Sequence, residues 1–180
     1  MTYFTADLHL FDEKIAQWRG FKSIDEYHTL VLSNWYRKVN PKDNVYILGD
    51  ITMSNIPGAV RILERLPGHK ALIPGNHDNG VLYNWLKDDW STTILGGSID
   101  FNLGTDEEPF NIICSHIPVH PDELQWYKGN VHGHIHHANP PAYVPYGVPS
   151  PKNDSRYFNV NLEFHDYKPV SIETLKQHFK

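Results

Sequence analysis

Apolar runs that stop at a glycine or a carboxylate alternate, along the first 80 residues, with stretches of helical period. Residues 2–8 alternate strictly, placing Phe4, Ala6 and Leu8 on one face and Thr5, Asp7 and His9 on the other. That pattern predicts a strand delivering Asp7 and His9 to the same side of its C-terminal end. Residues 24–38 follow a 3.6 period through Ile24, Tyr27, Leu30, Val31 and Trp35. Ser23 and Glu26 form a capping box at the start of this helix, and Pro41 ends it. The run 45–50 is a second strand closing on Gly49-Asp50. Residues 56–66 read as a helix with Pro57 in its first turn and Pro67-Gly68 as its stop. Residues 69–74 form a third strand that enters Gly75-Asn76-His77-Asp78-Asn79, and 81–90 read as a short helix. Strand, helix, strand, helix, strand in that order predicts right-handed crossovers and a largely parallel sheet.

Beyond residue 91 the period shortens. Residues 92–95, 98–103, 110–115 and 129–134 are candidate strands, with 104–109 as an acidic hairpin loop. Residues 139–155, rich in Pro, Gly and Tyr, read as an irregular surface loop. A last strand over 156–164 and a helix over 171–178 complete the chain.

Length and composition narrow the class. The 180 residues suit one domain spanning 1–180, with 40% hydrophobic and 21% charged residues as in soluble globular chains. No apolar run approaches the ~18 residues of a membrane span, and no basic-then-apolar leader opens the chain, so a cytoplasmic protein without membrane contact is expected. The single cysteine, Cys114, fits a reducing compartment and a place in the core. A formal charge of -5 argues against broad, sequence-blind nucleic-acid binding.

The chemistry-bearing side chains sit where the apolar runs end: Asp7 and His9, Asp50, Asn76 and His77, and Ser115-His116. Residues 131–137 add His132, His134, His136 and His137. Ligands of open α/β sheets bind beyond the carboxyl ends of the strands, so these groups should converge there. Imidazole mixed with carboxylate and amide oxygen suits Mn2+, iron or Zn2+ and lacks the thiolates of a structural zinc site. Each segment alone also reads as a turn, a helix cap or an exposed strand exit. Arg19 reads either as a solvated loop charge or as a rim residue reaching a phosphate.

Taken together, Asp7-Leu8-His9, Gly49-Asp50, Gly75-Asn76-His77-Asp78, Ser115-His116 and Gly133-His134-Ile135-His136 resemble, in order, the motifs of the calcineurin-like metallophosphoesterases. The tail from Phe158 to Glu163, with Tyr167-Lys168-Pro169-Val170, is similar to that of the small bacterial and phage members. The resemblance implies an α/β fold of the four-layer αββα kind, two mixed sheets flanked by helices. It implies two divalent ions, Mn2+ expected first. Asp7, His9 and His136 would hold one, Asn76, His116 and His134 the other, with Asp50 bridging. It implies that metal-bound hydroxide attacks a small-molecule phosphoester while His77 acts as general acid, oriented by Asp78. Asn76 and His77 would touch the substrate, and in its rim reading, which the resemblance does not itself supply, Arg19 would join them. Apart from the resemblance, His132 reads first as a structural histidine, and its strand parity with His134 and His136 offers the alternative that it supports them from behind.

Two departures from the family pattern bear on substrate. Ile51 follows Asp50 where the protein-phosphatase branch carries a phosphate-binding arginine, and Phe11-Asp12 stand where small members carry Gly-His. A phosphodiester is therefore expected ahead of a monoester. A nuclease or cyclic-nucleotide phosphodiesterase is the next enzyme reading, of which the nuclease would need a basic groove from Arg19, Lys22, Arg37 and Lys38, and a catalytically silent scaffold is the remaining reading. Oligomeric state leaves no mark on the sequence.

Overall fold

The structure, a computed structural model, describes residues 1–87, 92–105, 107–137 and 154–180. Four parallel strands, β1 (Thr2–Thr5), β2 (Asn44–Leu48), β3 (His69–Ile73) and β4 (Thr92–Ile94), build the first sheet. A short β9 (Val170–Ser171) pairs antiparallel with β1, giving the order β4-β3-β2-β1-β9. The second sheet, in the order β5-β6-β7-β8, joins β5 (Ser98–Asn102), β6 (Asn111–Ser115), β7 (Gly129–His132) and β8 (Tyr157–Asn159). Only β5 and β6 pair antiparallel in it, as the predicted hairpin. The result is the expected α/β architecture of two mixed sheets flanked by helices.

Strand alternation divides the core in two. Tyr3, Val45, Ile47 and Leu72 face the helices, where Tyr27, Val31 and Trp35 of α2 (Ile24–Lys38) pack beside Ala59, Val60 and Leu63 of α3 (Ile56–Arg65) and Leu82 and Leu86 of α4 (Gly80–Leu86). Phe4, Leu48 and Ile73 face the second sheet and meet Ile112, Cys114 and Val131 there. Helix α5 (Ile172–His178) adds Leu175 to this inter-sheet layer. On the outer face of the second sheet Ile113 and Tyr157 are covered by a 3-10 helix, Pro121–Trp126, through Leu124. No helix among the described residues is long and apolar enough to cross a membrane.

Several boundaries differ from the sequence pattern, for physical reasons. Strand β1 ends at Thr5, because Asp7 turns into the left-handed region at φ 58°. Such a turn costs a non-glycine residue ~1–2 kcal/mol. It sends Leu8 to the helix-side core, fully buried, which returns ~1.5–3 kcal/mol. Leu8 therefore does not share a face with Phe4 and Ala6. The expected strand 156–164 stops at Asn159: Asn159 and Asn161 accept backbone N–H groups two residues on, a side-chain turn that leads into a 3-10 helix at Leu162–Phe164. Strand β9 then follows unannounced. Helix α1 (Glu13–Trp18) was also not expected; Asp12 caps it through the N–H groups of Lys14 and Ile15, but its six residues bury only Ala16, too little for a period to register. The helix expected over 81–90 runs from Gly80 to Leu86, and its last positions, 88–90, lie outside the described residues. So does the loop expected over 139–155, apart from its last two positions.

Candidate metal centre

Every candidate ligand lies just past a strand end, and the loops are stitched together by backbone hydrogen bonds. Asp7 N–H donates to Gly49 O (3.0 Å), His9 N–H to Asp50 O (3.0 Å) and Gly133 N–H to His116 O (3.0 Å). His77 N–H donates to Asp50 Oδ1 (3.0 Å) and His134 N–H to Asp7 Oδ2 (2.8 Å). Two glycines make such proximity feasible. A Cβ on Gly49, whose φ is +83°, would stand 2.5 Å from Gly75 Cα and 2.6 Å from His116 Nδ1, and one on Gly133 would stand 2.5 Å from Asp7 Oδ2.

Four of these residues have left-handed backbones: Asp7 (φ 58°), His9 (42°), Asp50 (57°) and His134 (67°). Strain of order 1–3 kcal/mol per residue persists only where the surroundings impose it, and such residues cluster at functional sites. Here it aims side chains from different loops at one point. His134 thus lies past the end of β7, and the strand parity expected to link His132, His134 and His136 does not exist.

Two clusters result, Asp7-His9-His136 and Asp50-His116-His134, with the ligand atoms of each within 4.8 Å of one another. In the first, His136 Nε2 stands 3.4 Å and His9 Nε2 3.8 Å from Asp7 Oδ1. In the second, His116 Nε2 lies 3.3 Å from Asp50 Oδ2. That same oxygen is 3.7 Å from His9 Nε2, so Asp50 stands between the clusters. Asn76 Oδ1 joins the second, 2.8 Å from His116 Nε2 and 3.0 Å from His134 Nδ1.

The donors fit divalent ions. Among the described residues, Asp7 Oδ1 and both ring nitrogens of His9 are buried without a hydrogen-bond partner. A native fold seldom leaves buried polar atoms unsatisfied, and a cation held by Asp7 and His9 would satisfy Asp7 Oδ1 and His9 Nε2. Charge points the same way. Burial lowers His9 to about 4, leaving a neutral imidazole with a free lone pair. Burial pushes Asp50 upward, but the His116 hydrogen bond and charge and the His77 N–H hold it at about 2. Burial also pulls on His136, yet the facing carboxylates of Asp7 and Glu163 lift it to about 9. In the metal-free protein a proton on His136 thus balances part of the carboxylate charge.

The structure brings Asp7, His9, Asp50, Asn76, His77, His116, His134 and His136 to one place. His77 flanks Asp50, with its Nε2 3.9 Å from Asp50 Oδ2 and its side chain 37% exposed. Two expectations are not met. Asp78 does not reach the His77 ring: its Oδ2 accepts the N–H groups of Asp50 (2.9 Å) and Gly75 (2.9 Å), and its Oδ1 accepts that of Ile51 (3.0 Å). Arg19 is not at the rim; its side chain is 2% exposed and its guanidinium is turned inward. His132 belongs to neither cluster, being buried with its Nδ1 donating to Gly133 O (2.8 Å). Cys114 is buried, and burial pushes its thiol well above the ordinary value, as a core residue requires.

Sequence reasoning overlooked Glu163 and Asn161. Glu163 Oε2 lies 3.3 Å from His136 Nδ1 and accepts from Arg19 Nε (3.0 Å), while Asn161 Nδ2 lies 3.2 Å from His136 Nδ1. Their only signal was the Asn-rich tail already compared with the small family members.

Among known proteins, no family model matches this chain. An uncharacterized protein of Methanocaldococcus jannaschii is 29% identical over 178 residues, covering 96% of this chain and 88% of that protein. The gene 66 protein of Mycobacterium phage D29 is 29% identical over 196 residues, covering 93% and 91%. A protein of unknown function from Aquifex aeolicus shares the fold along almost the whole length, with a TM-score of 0.73, 25% identity and 98% of each chain covered.

Proposed function

We propose that this chain is a dinuclear metal-dependent phosphohydrolase acting on small-molecule phosphodiesters, with Mn2+ the first ion to test and iron or Zn2+ the alternatives. It resembles the calcineurin-like metallophosphoesterases in its two-sheet architecture and in its five motifs, which converge in space as well as follow in order. One observation carries the reading. A single oxygen, Asp50 Oδ2, stands within 3.7 Å of His9 Nε2 and 3.3 Å of His116 Nε2, which suits a carboxylate shared by two ions.

A pair of divalent ions supplies Lewis acidity at phosphorus and an acidified water, so no serine or cysteine nucleophile is needed. The chain's own residues do the rest. Asp7, His9 and His136 would hold one ion, and Asn76, His116 and His134 the other. His77, partly exposed beside Asp50, donates the proton that an alcohol leaving group needs, a role typically worth ~10²–10⁴-fold. Its loop is fixed by the hydrogen bond from its N–H to Asp50, and Asn76 is the second group facing the substrate.

Charge supports a diester over a monoester. A monoester dianion calls for extra cations at the mouth, but Ile51 stands where the protein-phosphatase branch carries its arginine, and Arg19 is engaged elsewhere. A hollow of about 450 Å3 beside the centre, lined by Asn76, Ser98, His116 and Ile117 among others, has no Lys or Arg among the described residues of its wall, and in a second hollow of about 300 Å3, beside His136, the Arg19 side chain is 2% exposed. The inward turn of Arg19 also removes it from the basic groove a nuclease would need.

Chelator-stripped protein reloaded with Mn2+ should hydrolyse an aryl phosphodiester faster than the matching monoester, and lose both activities on chelation. Turnover of the monoester alone would make it a phosphatase. Bound metal with no turnover of either would favour a scaffold.

A further inference from the structure

The two clusters are supported unequally. In the second, His116 Nδ1 donates to a neutral carbonyl, Leu48 O (2.7 Å), and the contact of His134 Nδ1 is with Asn76 Oδ1 (3.0 Å), itself a member of that cluster. In the first, the nitrogen of His136 that faces away from Asp7 meets a carboxylate, Glu163. A carboxylate behind a ligating imidazole accepts its N–H, fixes the tautomer that leaves the other nitrogen free, and makes that nitrogen a stronger donor.

Glu163 is itself held. Its Oε1 accepts the N–H of His137, and Arg19 Nε donates to its Oε2 (3.0 Å). The same guanidinium donates through Nη2 to Asp7 O (2.9 Å) and Asn161 Oδ1 (3.3 Å), and through Nη1 to the Tyr27 hydroxyl (2.7 Å). Tyr27 in turn donates to Leu8 O. One planar fork thus joins the backbone of the Asp7-Leu8-His9 loop to the carboxylate behind His136, with the arginine and the glutamate 144 positions apart. Only arginine has the donors for four partners, and burial of the pair leaves little room for either to move.

We infer that Glu163, clamped by Arg19, is the positioning residue of the Asp7-His9-His136 cluster and makes it the tighter of the two metal sites. The inference rests on the dinuclear reading above and adds an order of filling, with the Asp7 cluster loading first. The Asn-rich tail thereby acquires a task, and Arg19 becomes part of the metal site's frame and not a substrate contact.

Calorimetric titration of stripped protein with Mn2+ separates this inference from the reading it depends on. Wild-type protein should bind two ions, His136→Ala removing the tighter event and His134→Ala the weaker. Glu163→Gln should weaken the tighter event ~10–100-fold and leave the weaker one unchanged. Arg19→Lys, which keeps the charge but loses the fork, should act in the same direction by less, and serves if the first variant does not fold. Wild-type affinity at both sites in these variants, or equal weakening of both, overturns the inference while leaving the dinuclear reading intact. Failure of wild-type protein to bind Mn2+ overturns the reading itself.

Discussion

The carboxylate of Asp78 accepts the backbone N–H of Asp50 at 2.9 Å, so the residue adjoining His77 holds the loop that carries the carboxylate between the two clusters. It also accepts from Ile51 and Gly75, tying the ends of β2 and β3 together. Asp78→Ala would orphan three N–H groups, each costing ~1–3 kcal/mol where buried. We expect a loss of about 3 kcal/mol or more in urea denaturation, together with weaker Mn2+ binding. Unchanged stability would mean that water replaces the carboxylate without loss.

His77 stands apart from this frame. His77→Ala should fold and bind two Mn2+ ions as the wild type does, while diester turnover falls ~10²–10⁴-fold. Full activity with normal metal content would remove the acid role. A substrate with a very acidic leaving group should be far less affected, because it needs no proton.

Glycine contacts give a contrast within one residue type. Gly49→Ala would force a Cβ to 2.5 Å from Gly75 Cα at a φ of +83°, and should leave little folded protein. Gly80, in the first turn of α4, has nothing within 4 Å of an added Cβ. Gly80→Ala should therefore be neutral or stabilise by up to ~1 kcal/mol. Thermal melts of the two variants would show whether close approach decides the difference.

The proton on His136 sets a pH dependence. Its pKa in the metal-free fold, about 9, lies above the ordinary 6.5. Its stabilising contribution is therefore full below 6.5 and lost as pH rises through 9. Melting of stripped protein should decline over that window, and His136→Ala should flatten the decline. Glu163 and Asp50, both held at about 2, contribute in the opposite sense: present above their ordinary values and lost as pH falls through 2. An ion at the Asp7 cluster must displace the His136 proton, so at pH 7 binding should release close to one proton and tighten about tenfold per pH unit towards 9. Calorimetry in buffers of different ionisation enthalpy reads that proton directly.

Mn2+ itself should stabilise the fold by satisfying the orphaned oxygen of Asp7 and Nε2 of His9. At a free concentration 100 times the dissociation constant the gain is ~2.7 kcal/mol per site. A melting temperature unmoved by Mn2+ would count against metal binding in the folded state.

The local pattern alone specified much of this protein. The period of residues 24–38, with Ser23 and Glu26 at its start, marked α2 to the residue, and apolar runs ending at Gly49-Asp50 and Gly75-Asn76 marked two strands and the candidate ligands after them. These features are legible because they depend on neighbours a few positions apart, through side-chain period and capping. Tertiary structure decided what depends on distant partners. Asp7 leaves its strand because Leu8 gains a core that α2 helps to build, and Asp78 serves three backbone N–H groups because two loops pack glycine against glycine. Arg19 turns inward because Glu163, 144 positions later, is brought beside it by the chain's return past β8. A side chain's residue type restricts the chemistry it can perform, but which partner it meets is settled only when the sheets close around it.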